Sequence, residues 1–157
     1  MTRFTFNSTI EKAITDDAGN MFITAVASDN LKDLQGDRMA KSALQSMVKQ
    51  AKISGISDDD EVDTIELRET HKSTFGFGKV VDGELLEKED GAVEYLVKIK
   101  LYKEYPQSSA LFKSVKSGKV RKQLSVGGEI PDEPDAVSYE KEGDNLLRVL
   151  NDVKLEH

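Results

Sequence analysis

Cysteine is absent from this chain of 157 residues. Its absence excludes disulfides, thiolate zinc sites and cysteine nucleophiles, and it fits a reducing compartment. No apolar run approaches the 18 or more residues that a membrane-spanning helix needs. The opening stretch MTRFTFNSTIEK lacks the hydrophobic core of a signal peptide. Positive charge is also short: 22 Lys and Arg stand against 29 Asp and Glu, a net charge of −7. A protein built to hold nucleic acid or an anionic membrane carries the opposite sign. Histidine occurs twice, and there is no internal repeat and no long linker. What remains is a soluble intracellular protein of one domain, with neither nucleic acid nor membrane as a partner. At 38% apolar residues it has enough for one core, under a surface supplied by 32% charged residues.

The stretch 3–14 is a weak strand, and Met21 to Ser28 is a stronger, β-rich one. Asn30 to Arg38 is polar and reads as a loop. Ala40, Ala43, Leu44, Met47, Val48 and Ala51 recur at helical spacing and predict a helix over roughly 39–52. Ser54 to Asp63 reads as a surface loop, and Val62 to Leu67 as a strand. A strand after Gly76 turns at Asp90-Gly91. Val93, Tyr95, Val97, Ile99 and Leu101 then alternate as one half-buried face. Pro106 and Gly118 bracket a second helix, as a first-turn residue and a stop. Lys119 to Ile130 is another strand, and Tyr139–Glu142 with Leu146–Leu155 predicts a closing hairpin. Strand follows strand more often than helix. The expected fold is therefore α+β, a mainly antiparallel β core with helices packed outside.

Ser125 lies in Gln123-Leu124-Ser125-Val126-Gly127-Gly128. Strand parity groups Val120, Leu124 and Val126 on one face and Arg121, Gln123 and Ser125 on the other. The following glycines let a substrate backbone approach closely. The chain has 13 serines, so the residue alone reads first as polar surface. His71, in Glu69-Thr70-His71-Lys72, follows a strand. A neutral imidazole is the usual acceptor of a serine proton, although alone it reads as a loop histidine. His157 ends the chain and reads as a frayed residue, as the start of an expression tag, or, by parity with Val153 and Leu155, as part of an apolar face. The acidic run Asp58–Glu61 lacks calcium-loop spacing. Gly76 and Gly78 complete no phosphate-binding pattern. The basic group Lys113, Lys116, Lys119, Arg121 and Lys122 reads as a solvated surface in so acidic a chain.

Taken in order, the pieces become more specific. They run from the strand ITAVASD, through the loop Leu34-Gln35-Gly36-Asp37, a helix, His71 and a Gly-containing strand at 76–81, to the strand ending Lys100-Leu101-Tyr102. A second helix and Leu124-Ser125-Val126-Gly127-Gly128 close the series. This order, over about residues 20–157, resembles the tailed-phage prohead serine proteases, which are similar in fold to the herpesvirus assemblins. The resemblance implies a β-barrel surrounded by helices, and a single protease domain over 1–157 that stops short of the family's usual end. It implies a serine endopeptidase with Ser125 as nucleophile and His71 as general base. The third member, a His, Asp or Glu on a later strand, falls on His157 first and Glu156 second. The implied substrates are scaffold protein, major capsid protein and the protease itself, cleaved inside the procapsid in the host cytoplasm. No metal or organic cofactor is required, and a homo-oligomer is allowed. The rival reading is a non-catalytic virion module, because phage tail-tube proteins share this kind of fold and fold does not fix function.

Overall fold

The computed structural model describes residues 2–29, 37–57, 64–68, 76–118, 123–142 and 145–155. In chain order these form β1 (Thr2–Thr15), β2 (Met21–Asp29), β3 (Asp37–Met39), α1 (Lys41–Ile56), β4 (Glu66–Arg68), β5 (Gly76–Glu87), β6 (Val93–Leu101), α2 (Pro106–Ser117), β7 (Gln123–Ile130), β8 (Val137–Glu142), β9 (Asn145–Leu150) and β10 (Lys154–Leu155). Seven strands make one sheet, ordered β10-β7-β1-β2-β6-β5-β4. Every neighbouring pair in it is antiparallel. A smaller sheet has the order β3-β9-β8, with β3 parallel to β9. No helix among the described residues is long and apolar enough to cross a membrane.

Several local expectations hold. The alternation in β6 buries Val93, Tyr95, Val97, Ile99 and Leu101. The turn before it forms at Asp90-Gly91, where the Asp90 carboxylate accepts the Ala92 N–H at 3.0 Å. Helix α2 begins on Pro106 and ends at Gly118, whose φ of 65° is the left-handed stop that glycine adopts without strain. Inside α2, the buried Ser108 hydroxyl donates to Phe77 O at 2.9 Å and ties the helix to β5.

Several boundaries differ. Asp37 and Arg38, expected in a loop, and Met39, expected at the helix start, form β3, because they pair with β9. Helix α1 runs to Ile56, so Ser54, Gly55 and Ile56 are helical and not part of a surface loop. Tertiary bonds hold this last turn: the fully buried Ser54 hydroxyl donates to Val80 O at 2.6 Å and accepts from Ile65 N at 2.9 Å. The apolar pattern over 146–155 is likewise not one strand. After Leu150 the chain leaves β9, held by Asn151, whose N–H donates to Ala136 O and whose amide donates to Asp135 O and Ser138 Oγ. It then joins the larger sheet as β10. Val153 and Leu155 carry the alternation across this break, which conceals it in the sequence.

The expected barrel is not closed. Among the described residues the large sheet keeps two edges, β10 and β4, and α1 lies between them. Gln50 bonds to the β10 edge: its Nε2 donates to Val153 O at 2.8 Å, and its Oε1 accepts from Leu155 N at 2.7 Å. One turn later Ser54 bonds to the opposite edge, at Val80 and Ile65. In a flat sheet those edges would stand six strand spacings apart, roughly 29 Å. The two anchoring residues are separated by about 6 Å of helix rise. The sheet must therefore curl until both edges reach α1. The helix takes the place of strand-to-strand closure and contributes Ala43, Leu44, Met47 and Ala51 to the core, where a helix packed outside a barrel was expected.

Tyr95 is an outlier in this core. It is 1% exposed, and among the described residues its hydroxyl has no hydrogen-bond partner. Burial, and then the charge of Asp82, push its phenol well above the ordinary value of 10.0. Tyr95→Phe removes an unmet polar group and is expected to leave stability unchanged or raise it by about 1 kcal/mol at neutral pH. The phenol's raised folded-state pKa makes its contribution complete below pH 10. The contribution is lost as pH rises further, because the unfolded chain ionises first. Urea denaturation at about pH 7 and pH 11 should therefore show a smaller alkaline loss in Tyr95→Phe than in the parent.

Candidate active site

Strand β7 forms between two partners. On one side it pairs with β1, where Ser125 stands opposite Asn7, Gly127 opposite Thr5 and Gly128 opposite Phe4. On the other it pairs with β10, where Glu129 stands opposite Lys154 and Gly128 opposite Leu155. Ile130 is buried and has the parity of Leu124 and Val126, not that of Ser125. Ser125 itself is described by its backbone alone.

His71 lies outside the described residues. It falls between Arg68 and Gly76, which are register partners at the end of the β4–β5 pair. His157 and Glu156, directly after β10, are also outside them, as are Asp58–Glu61 and, of the basic group, Lys119, Arg121 and Lys122. The structure therefore describes the strand that carries Ser125 and the strands that precede His71 and His157 in the chain, but not a contact among the three.

The strand directions are informative. Antiparallel alternation across the sheet gives β4 and β10 the same direction and β7 the opposite one. Ile65 and Leu155 are both held on α1 within one turn. From Leu155's partner Gly128, Ser125 lies three residues back along β7, about 10 Å. In the sequence, His71 comes six residues after Ile65 and His157 two residues after Leu155.

The rear of this region is fixed by polar bonds from side chains that the sequence reading did not single out. Lys79, on β5 opposite Glu66, is 8% exposed, and its Nζ donates to Ser57 O at the end of α1 at 2.9 Å. A cation there suits the negative end of the helix dipole. The one sequence signal for Gln50 and Ser54 is their placement on the stripe of Ala43, Met47 and Ala51, where a purely packing helix would carry apolar side chains. Among the described residues, no group of three His, Asp or Glu side chains could hold a metal ion.

The described residues thus define a mixed α+β fold with a curled, mainly antiparallel sheet and two helices. Among solved structures, that fold is similar to the capsid assembly protease of bacteriophage T4, gp21: TM-score 0.50, covering 99% of this chain and 94% of that one, at 12% identity. At this identity the likeness is one of fold. No protein-family model matches the chain, and no curated protein does.

Proposed function

We propose that this chain is a serine endopeptidase of phage capsid maturation, a single protease domain with Ser125 as nucleophile, His71 as general base and His157 as the third member, Glu156 being the alternative. The observation that carries the reading is the fold likeness to a capsid assembly protease along nearly the full length of both chains. The pairing of β7, which carries Ser125, with β10, which directly precedes Glu156 and His157 in the chain, supports it.

In this mechanism the Ser125 oxygen attacks a peptide carbonyl while His71 takes its proton. His71 then protonates the leaving amine, and water resolves the acyl-enzyme by the same route. His157 holds the His71 tautomer. A neutral imidazole in that place stabilises the imidazolium less than a carboxylate would, so turnover is slow. The substrates are scaffold protein, major capsid protein and the chain itself, inside the procapsid, where high local concentration offsets a low rate. The test is intact-mass analysis of this chain co-expressed with a scaffold or capsid protein, beside Ser125→Ala and His71→Ala. Cleavage by the parent that is lost in both variants is the expected result. Identical patterns in all three would overturn the reading.

A further inference from the structure

The Gln50 amide engages Val153 O and Leu155 N, the carbonyl of one residue and the N–H of the residue two further on. That is the pair of groups a residue of a parallel neighbouring strand would engage. The same amide nitrogen also donates to Ser46 Oγ at 3.0 Å, which holds the side chain to its own helix. Strand β10 needs such support. It has two residues and pairs with β7 at two positions. Burial of Val153 and Leu155 fixes which face points inward and so rejects a slip of one residue. A slip of two residues preserves that parity. The hydrogen bonds to Gln50 distinguish those two registers.

We propose that Gln50 is a positioning residue for the candidate site. Its amide takes the place of a neighbouring strand at the β10 edge and sets the phase of β10 on β7, the strand that carries Ser125. The proposal rests on the protease reading above.

Gln50→Met keeps the length and bulk of the side chain and removes both bonds to β10. Gln50→Glu keeps the acceptor for Leu155 N–H and loses the donor to Val153 O. Val97→Ala, a core void on β6 away from both edges, is the structural control. The measurements are kcat and KM for peptide cleavage, with amide hydrogen exchange at Leu155, at a temperature where every variant is folded. In Gln50→Met, kcat should fall by about tenfold or more with KM little changed, and the Leu155 amide should lose its protection. Gln50→Glu should retain part of both. Val97→Ala should lower Tm at least as far and keep kcat. A protected Leu155 amide in Gln50→Met would overturn the proposal, as would lost protection with kcat intact. Ser125→Ala in the same assay separates the two claims. Cleavage at the parent's rate in that variant would remove the protease reading and this role for Gln50 with it. A dead Ser125→Ala beside an unaffected Gln50→Met would remove the Gln50 role alone.

Discussion

Ser125→Ala is expected to slow peptide cleavage by on the order of 10⁶-fold, and His71→Ala by nearly as much. The size follows from the chemistry assigned to each. Without the hydroxyl no acyl-enzyme forms, and what remains is attack by water on the bound carbonyl. Without the imidazole the hydroxyl keeps its proton at neutral pH and is a poor nucleophile. Because the two act as one unit, the double variant should be no slower than the worse single one. His157→Ala should cost less, on the order of 10²-fold, because a neutral orienting group leaves the proton transfer itself in place. Single-turnover kinetics on a scaffold-derived peptide, with circular dichroism to establish that each variant is folded, measure all four. A double variant much slower than either single would mean that Ser125 and His71 do not share a step.

What the sequence made legible was local. The alternation from Val93 to Leu101 has period two because β6 has one face on the core. Pro106 and Gly118 mark α2 because each suits a terminus by its backbone alone. These signals depend on near neighbours. The long-range features were not legible. A closed barrel was what the family resemblance implied, yet among the described residues the sheet is not closed strand to strand and α1 bonds towards both edges. The agents are Gln50 and Ser54, whose partners lie at Val153, Leu155, Val80 and Ile65, far along the chain. Nothing in a glutamine's immediate sequence says that it will bond to a strand edge some hundred residues later. The crossover after Leu150 was hidden for a related reason. Val153 and Leu155 remain apolar because β10 also faces a core, so periodicity continues although the strand does not. The site stands between these cases. The segment around Ser125, with glycines after it, is recognisable as a strand and is found as β7, whereas His71 and His157 fall outside the described residues.

Gly55→Ala is expected to destabilise the protein by about 3 kcal/mol or more, against the usual sign. In an exposed helix interior, alanine is the better residue by about 1 kcal/mol. Here a Cβ on Gly55 would lie 2.0 Å from Val81 O and 2.8 Å from Val81 C. Those are backbone atoms, so no rotamer change can relieve the overlap. Val81 lies at the register shift between Val80 and Asp82, where β5 bulges. Restoring ordinary contact distances requires α1 to withdraw by roughly 1 Å or more. Withdrawal would stretch the Ser54 bonds to Val80 O and Ile65 N, both of them buried. It would also open the contact in which Gly83, where a Cβ would sit 2.9 Å from that of Ala51, receives the helix. Overpacking costs about 1–3 kcal/mol, and leaving buried partners unmet costs a similar amount; together these outweigh the gain in helix propensity. Urea denaturation with an unchanged m-value and a lower midpoint is the expected readout. A Gly55→Ala variant more stable than the parent would mean that α1 does not lie this close to β5. The closure of the sheet edges through Ser54 would then fail with it.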